Sequence, residues 1–242
     1  LALLSSLTLS LTVIAALGAQ ASPSIADRAA LLAQAFDAMR GGDWDRARSL
    51  SANAGPVESD IIEWHWLRAS EGSFEDYVRF LDRRPDWPGL PLLQKRGEAT
   101  IPAGASPSAV ETYFFLFAPQ TGTGALRLAE AKRALGKTEE AEAILIGAWR
   151  EFSLTAQEHD AFLAEDTRLL APHHKARLDQ LLWQGKRREA ERMLPLVPED
   201  WQKLARARIG LRTQTAGVDT LVEAVPPALR DNPGLAYERF NW

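Results

Sequence analysis

Three times in this sequence a run of helix-forming residues is closed by the same short pattern: a glycine, four residues, then an alanine. It occurs at Gly42-Asp43-Trp44-Asp45-Arg46-Ala47, at Gly136-Lys137-Thr138-Glu139-Glu140-Ala141 and at Gly185-Lys186-Arg187-Arg188-Glu189-Ala190. Glycine enters the left-handed backbone region that closes a helix without a steric penalty. The polar residues after it turn the chain, with Asp43 and Thr138 placed to cap the next helix. The alanine lets that next helix approach its neighbour closely. A variant, Gly72-Ser73-Phe74-Glu75-Asp76-Tyr77, puts tyrosine at the alanine position, and Ser73 and Asp76 have the spacing of a capping box.

Between these breaks Ala, Leu, Arg and Glu dominate, all good helix formers. Apolar residues recur at helical spacing, as in Ala30, Leu31, Ala35, Phe36 and Met39, or Leu126, Ala129, Ala131 and Leu135, or Leu178, Leu181 and Leu182. No run alternates in the way a strand requires, and the prolines lie mostly at boundaries. The pattern predicts helices over 24–40, 43–54, 57–70, 73–83, 89–99, 107–118, 122–135, 138–152, 155–164, 173–184, 187–194, 199–213, 217–224 and 233–241. The expected fold class is all-α, with helical-hairpin repeats forming an α-solenoid in which each pair buries its apolar face on the next. The irregular period does not fit a strict tetratricopeptide array.

The N-terminus reads differently. Residues 1–26 carry no charge, and the apolar stretch from Leu3 to Leu17 leads to Ala19-Gln20-Ala21, a small-x-small cleavage pattern. This predicts a secretory signal peptide over 1–21 and export to the periplasm. The apolar run is shorter than the roughly 20 residues of a spanning helix, so no stable membrane span is expected after cleavage. The first residue is Leu and no basic segment precedes the apolar run, so the sequence is expected to begin inside the signal peptide. Residues 22–242 are then expected to form a single helical domain.

Few residues suggest chemistry. There is no cysteine, which removes disulfide scaffolds, thiolate zinc sites and thiol nucleophiles. The net charge is −4 with no basic stripe, so nucleic acid is not an expected partner. Four histidines, His65, His159, His173 and His174, fall at no metal-ligand spacing, and neighbours such as His173 and His174 point about 100° apart on a helix. Gly122-Thr123-Gly124 fits a helix N-terminus better than a phosphate cradle. Glu139, Glu140 and Glu142 suit the start of a helix, and Asp179 and Glu189 are placed to pair with arginines. Of the eight tryptophans, Trp44, Trp64, Trp66, Trp87, Trp149, Trp183, Trp201 and Trp242, most are weighed as core rather than ligand contacts, with Trp44, Trp149 and Trp183 filling gaps between hairpins and Trp66 and Trp87 less clearly periodic. No catalytic, metal or cofactor-binding residue is assigned, and no cofactor is expected.

Four segments together carry a family resemblance. They are Arg84-Pro85-Asp86-Trp87-Pro88-Gly89 with Leu92, Leu93, Arg96 and Glu98; the hairpin from Ala125 to Trp149; His174-Lys175-Ala176-Arg177-Leu178-Asp179-Gln180-Leu181-Leu182-Trp183 with Gly185 and Ala190; and Asn232-Pro233-Gly234-Leu235-Ala236-Tyr237-Glu238-Arg239-Phe240-Asn241-Trp242. In order and spacing they resemble the N-terminal superhelical part of the soluble lytic murein transglycosylases. The resemblance implies a U-shaped superhelix next to a lysozyme-like catalytic domain. It also implies peptidoglycan glycan strands as partners, cleaved between N-acetylmuramic acid and N-acetylglucosamine to 1,6-anhydro products. In that family one glutamate, usually in a Glu-Ser pair, acts as acid and then base. Here the Glu-Ser pair is Glu58-Ser59, outside the apolar context of that motif, and it reads as a turn or the first turn of a helix. No segment resembles the lysozyme-like domain, so the chain is expected to be cut short at its C-terminal end and inactive by itself. The alternative expectation is a periplasmic helical-repeat scaffold that binds proteins.

Overall fold

A computed structural model describes residues 23–242; the expected signal peptide over 1–21 lies outside the described residues. Among the described residues there is no strand. The helices are α1 (Ile25–Arg40), α2 (Trp44–Ala54), α3 (Pro56–Arg68), α4 (Phe74–Arg83), α5 (Leu90–Gly97), α6 (Pro107–Tyr113), α7 (Gly122–Ala134), α8 (Thr138–Glu151), α9 (Ala156–Leu170), α10 (His174–Trp183), α11 (Arg187–Met193), α12 (Glu199–Arg212), α13 (Val218–Glu223) and α14 (Pro233–Phe240). Many are far shorter than the ~12–15 residues at which an isolated helix becomes marginal in water, so packing rather than propensity holds them.

The glycine breaks close helices as their sequence suggests. Gly42, Gly136 and Gly185 all have φ between 70° and 77°. Each donates its N–H back to the carbonyl three residues earlier, Met39, Arg133 or Leu182, at 2.9–3.2 Å, while the next residue donates to the carbonyl five back, Ala38, Lys132 or Leu181, at 2.8–2.9 Å. That pair of bonds is the Schellman closure. The alanines of the pattern, Ala47, Ala141 and Ala190, are fully buried, and so is the variant Tyr77. Asp43 accepts from the Arg46 N–H at 3.1 Å as predicted, and Ser73 and Asp76 complete their capping box. Thr138 does not cap: it is the first residue of α8, and the cap position belongs to Lys137, without a side-chain bond.

Two further helices close in the same way on side chains that favour it less. Ser70 (φ 67°) ends α3 and Gln214 (φ 51°) ends α12. The left-handed conformation costs a non-glycine residue about 1–2 kcal/mol, partly offset because glycine loses more freedom on folding. Gln214→Gly is therefore expected to stabilise the fold by about 0.5–1 kcal/mol. Gly136→Ala, where an added Cβ meets nothing within 4 Å, is expected to cost about 1 kcal/mol on conformational grounds alone. Urea midpoints of the two variants check both signs.

The chain divides into two compact units, the first ending at Glu63 and the second starting at Trp64, so that α3 contributes to both. In the first, α1 and α2 form a hairpin around Ala35, Ala47 and Ile62. In the second, α4 to α6 gather Leu67, Tyr77, Phe80, Leu93 and Tyr113. Consecutive helices α7 to α12 then share a core of Leu145, Trp149, Phe162, Leu178 and Leu181, and α12 to α14 close on Leu204, Val218 and Leu235. Within the second unit each hairpin buries its face on the next, which is the solenoid-like logic of helical repeats.

Arginines join the hairpins as well. Arg177 of α10 donates Nη1 to the carbonyls of Trp149 and, at 3.0 Å, Phe152, at the end of α8. Arg212 of α12 donates Nη1 to the carbonyls of Leu182 at 2.8 Å and Trp183 at 3.4 Å, at the end of α10. In both cases a guanidinium binds carbonyls at a helix C-terminus, adding at Leu182 to the bond from the Gly185 N–H.

Two expected boundaries move. The apolar run expected to be helical to residue 118 leaves α6 at Tyr113. Pro119 disfavours helical backbone at Ala118, and Gln94 Nε2 holds the Phe117 carbonyl at 2.8 Å. Phe115 and Leu116 are left facing water, at 84% and 53% exposure. The helix expected to stop at 164 runs on to Leu170 past Asp166, whose backbone is extended (φ −158°, ψ 83°) and whose Oδ1 accepts from the Leu169 N–H at 2.9 Å, starting a second helical piece.

Candidate functional site

Glu58-Ser59 lies in the first turn of α3, as its sequence suggests. The Glu58 carboxylate is taken by Arg28 of α1 through both Nε (3.0 Å) and Nη2 (2.7 and 2.9 Å). Bound fork to fork in this way, it fastens two helices.

The most deeply placed carboxylate is Glu98, fully buried just beyond α5. It accepts from the Gln120 N–H (2.9 and 3.1 Å), the Thr121 N–H (2.8 Å) and the Thr121 hydroxyl (2.5 Å). Burial pushes its carboxyl above the usual range, and these donors only partly counter the rise. Thr121 is also the cap of α7, receiving the Gly124 N–H at 3.0 Å. A Cβ on Gly124 would stand 2.2 Å from Glu98 Oε2, so only glycine fits there. On the same turn the Thr123 N–H donates to Glu158 of α9 at 2.9 Å, and Glu158 also accepts from the Thr155 N–H at 2.9 Å. Burial would raise Glu158, but the N–H and hydroxyl donors of Thr155 and Thr123 outweigh it and hold its carboxyl low. Gly122-Thr123-Gly124 is thus part of a helix start that binds two of the protein's own carboxylates, Glu98 through Gln120 and Thr121 and Glu158 through Thr123. The sequence flagged the turn and gave no sign of its occupants, which lie 22 to 35 residues away.

His159 and His174 are buried against Trp149, with ring centroids 5.2 and 5.5 Å from it, and the Arg177 guanidinium lies 4.6 Å from the same ring. Burial, reinforced by Arg177, lowers both imidazoles, His159 to about 4. His173 is half-buried. His65 packs edge-on against Trp64 at 4.9 Å and is lowered by burial and by Arg68. The expected carboxylate pairings form: Asp179 takes Arg208 at 2.5 Å, and Glu189 lies 3.8 Å from Arg177.

Most tryptophans pack in or against the cores as expected, Trp149 within one and Trp64, Trp66, Trp87 and Trp201 against them. Trp149 is fully buried, Trp44, Trp64, Trp66, Trp87 and Trp201 are half-buried, and Trp183 and Trp242 are exposed. Trp183 packs against the following helices but stays partly open to solvent. At 41% exposure it lies beside Tyr237 of α14, itself 48% exposed, with ring centroids 5.3 Å apart. Arg208 of α12 sits 5.0 Å from the Trp183 ring, and a Cβ on Gly234 would stand 2.1 Å from its guanidinium carbon. Arg212 binds Glu238 of α14 beside it. The result is an open aromatic platform braced by two arginines.

Two grooves flank Phe115. One, of about 780 Å³, runs between α6, α7 and α8 with Phe114, Leu128 and Ile144 on its walls and Glu111, Lys132, Lys137 and Glu140 at its rim. The other, of about 420 Å³, lies toward α4 and α5 and includes Val78, Leu81, Tyr113 and Leu116. No helix among the described residues is long and apolar enough to cross a membrane. Comparison with family models, with curated proteins and with solved structures finds no match.

Proposed function

We propose that this chain is the helical-repeat part of a periplasmic lytic transglycosylase, holding peptidoglycan glycan strands and supporting a lysozyme-like catalytic domain that it does not itself contain. The observation that carries the reading is the Trp183–Tyr237 platform. It joins two of the four segments that carry the resemblance, one ending at Trp183 and one containing Tyr237. Exposed rings braced from behind offer flat faces to the C–H surface of a sugar. Of the buried carboxylates, Glu98 is occupied by backbone donors and Glu238 by Arg212, while the half-buried Glu158 is held by the Thr123 N–H and Glu58 by Arg28. Binding without cleavage is what this arrangement supports.

The test is co-sedimentation with purified peptidoglycan sacculi, with soluble products read by mass spectrometry. The chain is expected to sediment and to release no anhydro-muropeptides. Trp183→Ala with Tyr237→Ala is expected to weaken binding at least tenfold with circular dichroism unchanged. The second reading, a protein-binding scaffold, is favoured by the exposed Phe115 and Leu116 between two grooves. Absence of sedimentation by the intact chain would reject the glycan reading in its favour, and anhydro products from the chain alone would reject both.

A further inference from the structure

The cluster around Trp149 lies apart from the Trp183–Tyr237 platform and concentrates polar groups in the core. Trp149 Nε1, His159 Nδ1, His174 Nδ1, Arg177 Nε and Nη2 and Arg192 Nε are all buried without a hydrogen-bond partner. His159 sits on the first piece of α9, next to Phe162, which packs on the same indole at 6.0 Å. That piece ends at Asp166, where helical backbone is interrupted. A buried, uncompensated group and a backbone break therefore belong to one short segment.

We propose that His159 and His174 form a proton-operated latch, such that their protonation loosens the first piece of α9, up to residue 165, from Trp149 and α10, with Asp166 as the hinge. The charged groups facing the latch are predominantly positive. From α10 come Arg177 and, just before it, His173; from α11 comes Arg192; Asp160 on α9 itself opposes them. Glu189 of α11 offers Arg177 a carboxylate at 3.8 Å but also accepts the Leu154 N–H at 2.9 Å and the Ser153 hydroxyl. Imidazolium at either histidine would add positive charge to a site where burial already opposes it. The segment stays tied at its ends, by Glu158 to Thr123 and by Arg133 of α7 to Glu165 and Asp166, so it opens without detaching.

The direction follows from linkage. His159 is held to about 4 in the closed segment, against an ordinary value of 6.5 in water. The open form therefore takes up the proton first, and closure is fully favoured above the ordinary value and lost progressively as pH falls toward the closed-state value. For His159 alone, opening should grow more than about tenfold between pH 7 and pH 5.

The experiment is hydrogen exchange on the whole chain, following amides of residues 156–165 against those of α12 and corrected for intrinsic rates. The expected result is a fall of at least tenfold in relative protection from pH 7 to pH 5, abolished in the His159→Gln, His174→Gln double variant. A ratio that does not change with pH, or a double variant that keeps the wild-type dependence, overturns the latch. Should the double variant not fold, imidazole titration of the wild-type chain by NMR decides. A midpoint for His159 below about 5.5 supports the latch, and one near its ordinary value rejects it.

Discussion

Trp149→Ala is expected to destabilise the second unit by about 3–5 kcal/mol, a large part of the stability of an ordinary domain. The indole is fully buried and is shared by α8, α9 and α10, through Phe162, His159, His174 and Arg177. Truncation removes its transfer free energy, opens a cavity and deprives the guanidinium of the ring beneath it. Because repeats couple mainly to their neighbours, the loss should fall on α8 to α10 and leave the α1–α2 hairpin intact. Trp149→Phe, which keeps an aromatic face, is expected to cost about half as much. Urea unfolding followed by far-UV circular dichroism checks the magnitude, and exchange protection of α1 and α2 checks the confinement.

Glu98→Ala should cost about 3 kcal/mol, because it leaves two backbone N–H groups and a hydroxyl at the start of α7 without acceptors in a dry site. Glu98→Gln keeps one oxygen for these donors and is expected to cost less than about 1 kcal/mol. The pH dependence separates the two effects. Since burial raises the folded-state value above the ordinary 4.5, ionisation of Glu98 opposes folding. Its contribution is fully present below that ordinary value and is lost as pH rises through the raised one. Unfolding free energies measured from pH 4 to pH 7 should show this loss in the wild type and not in Glu98→Gln. Equal slopes in both would mean that the carboxyl is not perturbed by its burial.

The helices and their closures were legible because both rest on local chemistry. Gly42, Gly136 and Gly185 supply the left-handed residue, and Ala47, Ala141 and Ala190 the close approach. Ser70 and Gln214 escaped notice because nothing in their side chains announces a left-handed conformation; the closing bonds of the turn impose it. The early end of α6 escaped because Phe114 to Phe117 are good core residues whatever their backbone does. The end of α9 was misplaced because Asp166 interrupts a helix and at once begins another. The site residues were the least legible. Glu98 and Gln120, Glu158 and Thr123, and Trp183 and Tyr237 meet only through stacking of hairpins, and no periodicity within a hairpin encodes which carboxylate or ring lies opposite.

Arg177 and Arg212 bear on how such a chain can be rearranged. Each reaches out of its own hairpin to the carbonyls that end a helix of an earlier one. A hairpin deleted, duplicated or moved along the chain would carry away one half of such a bond and strand the other. The stack is therefore a set of keyed parts rather than interchangeable tiles. Its order is written in where each guanidinium finds its carbonyl, and splicing in a foreign hairpin should fail unless the arginine and the helix end it serves travel together.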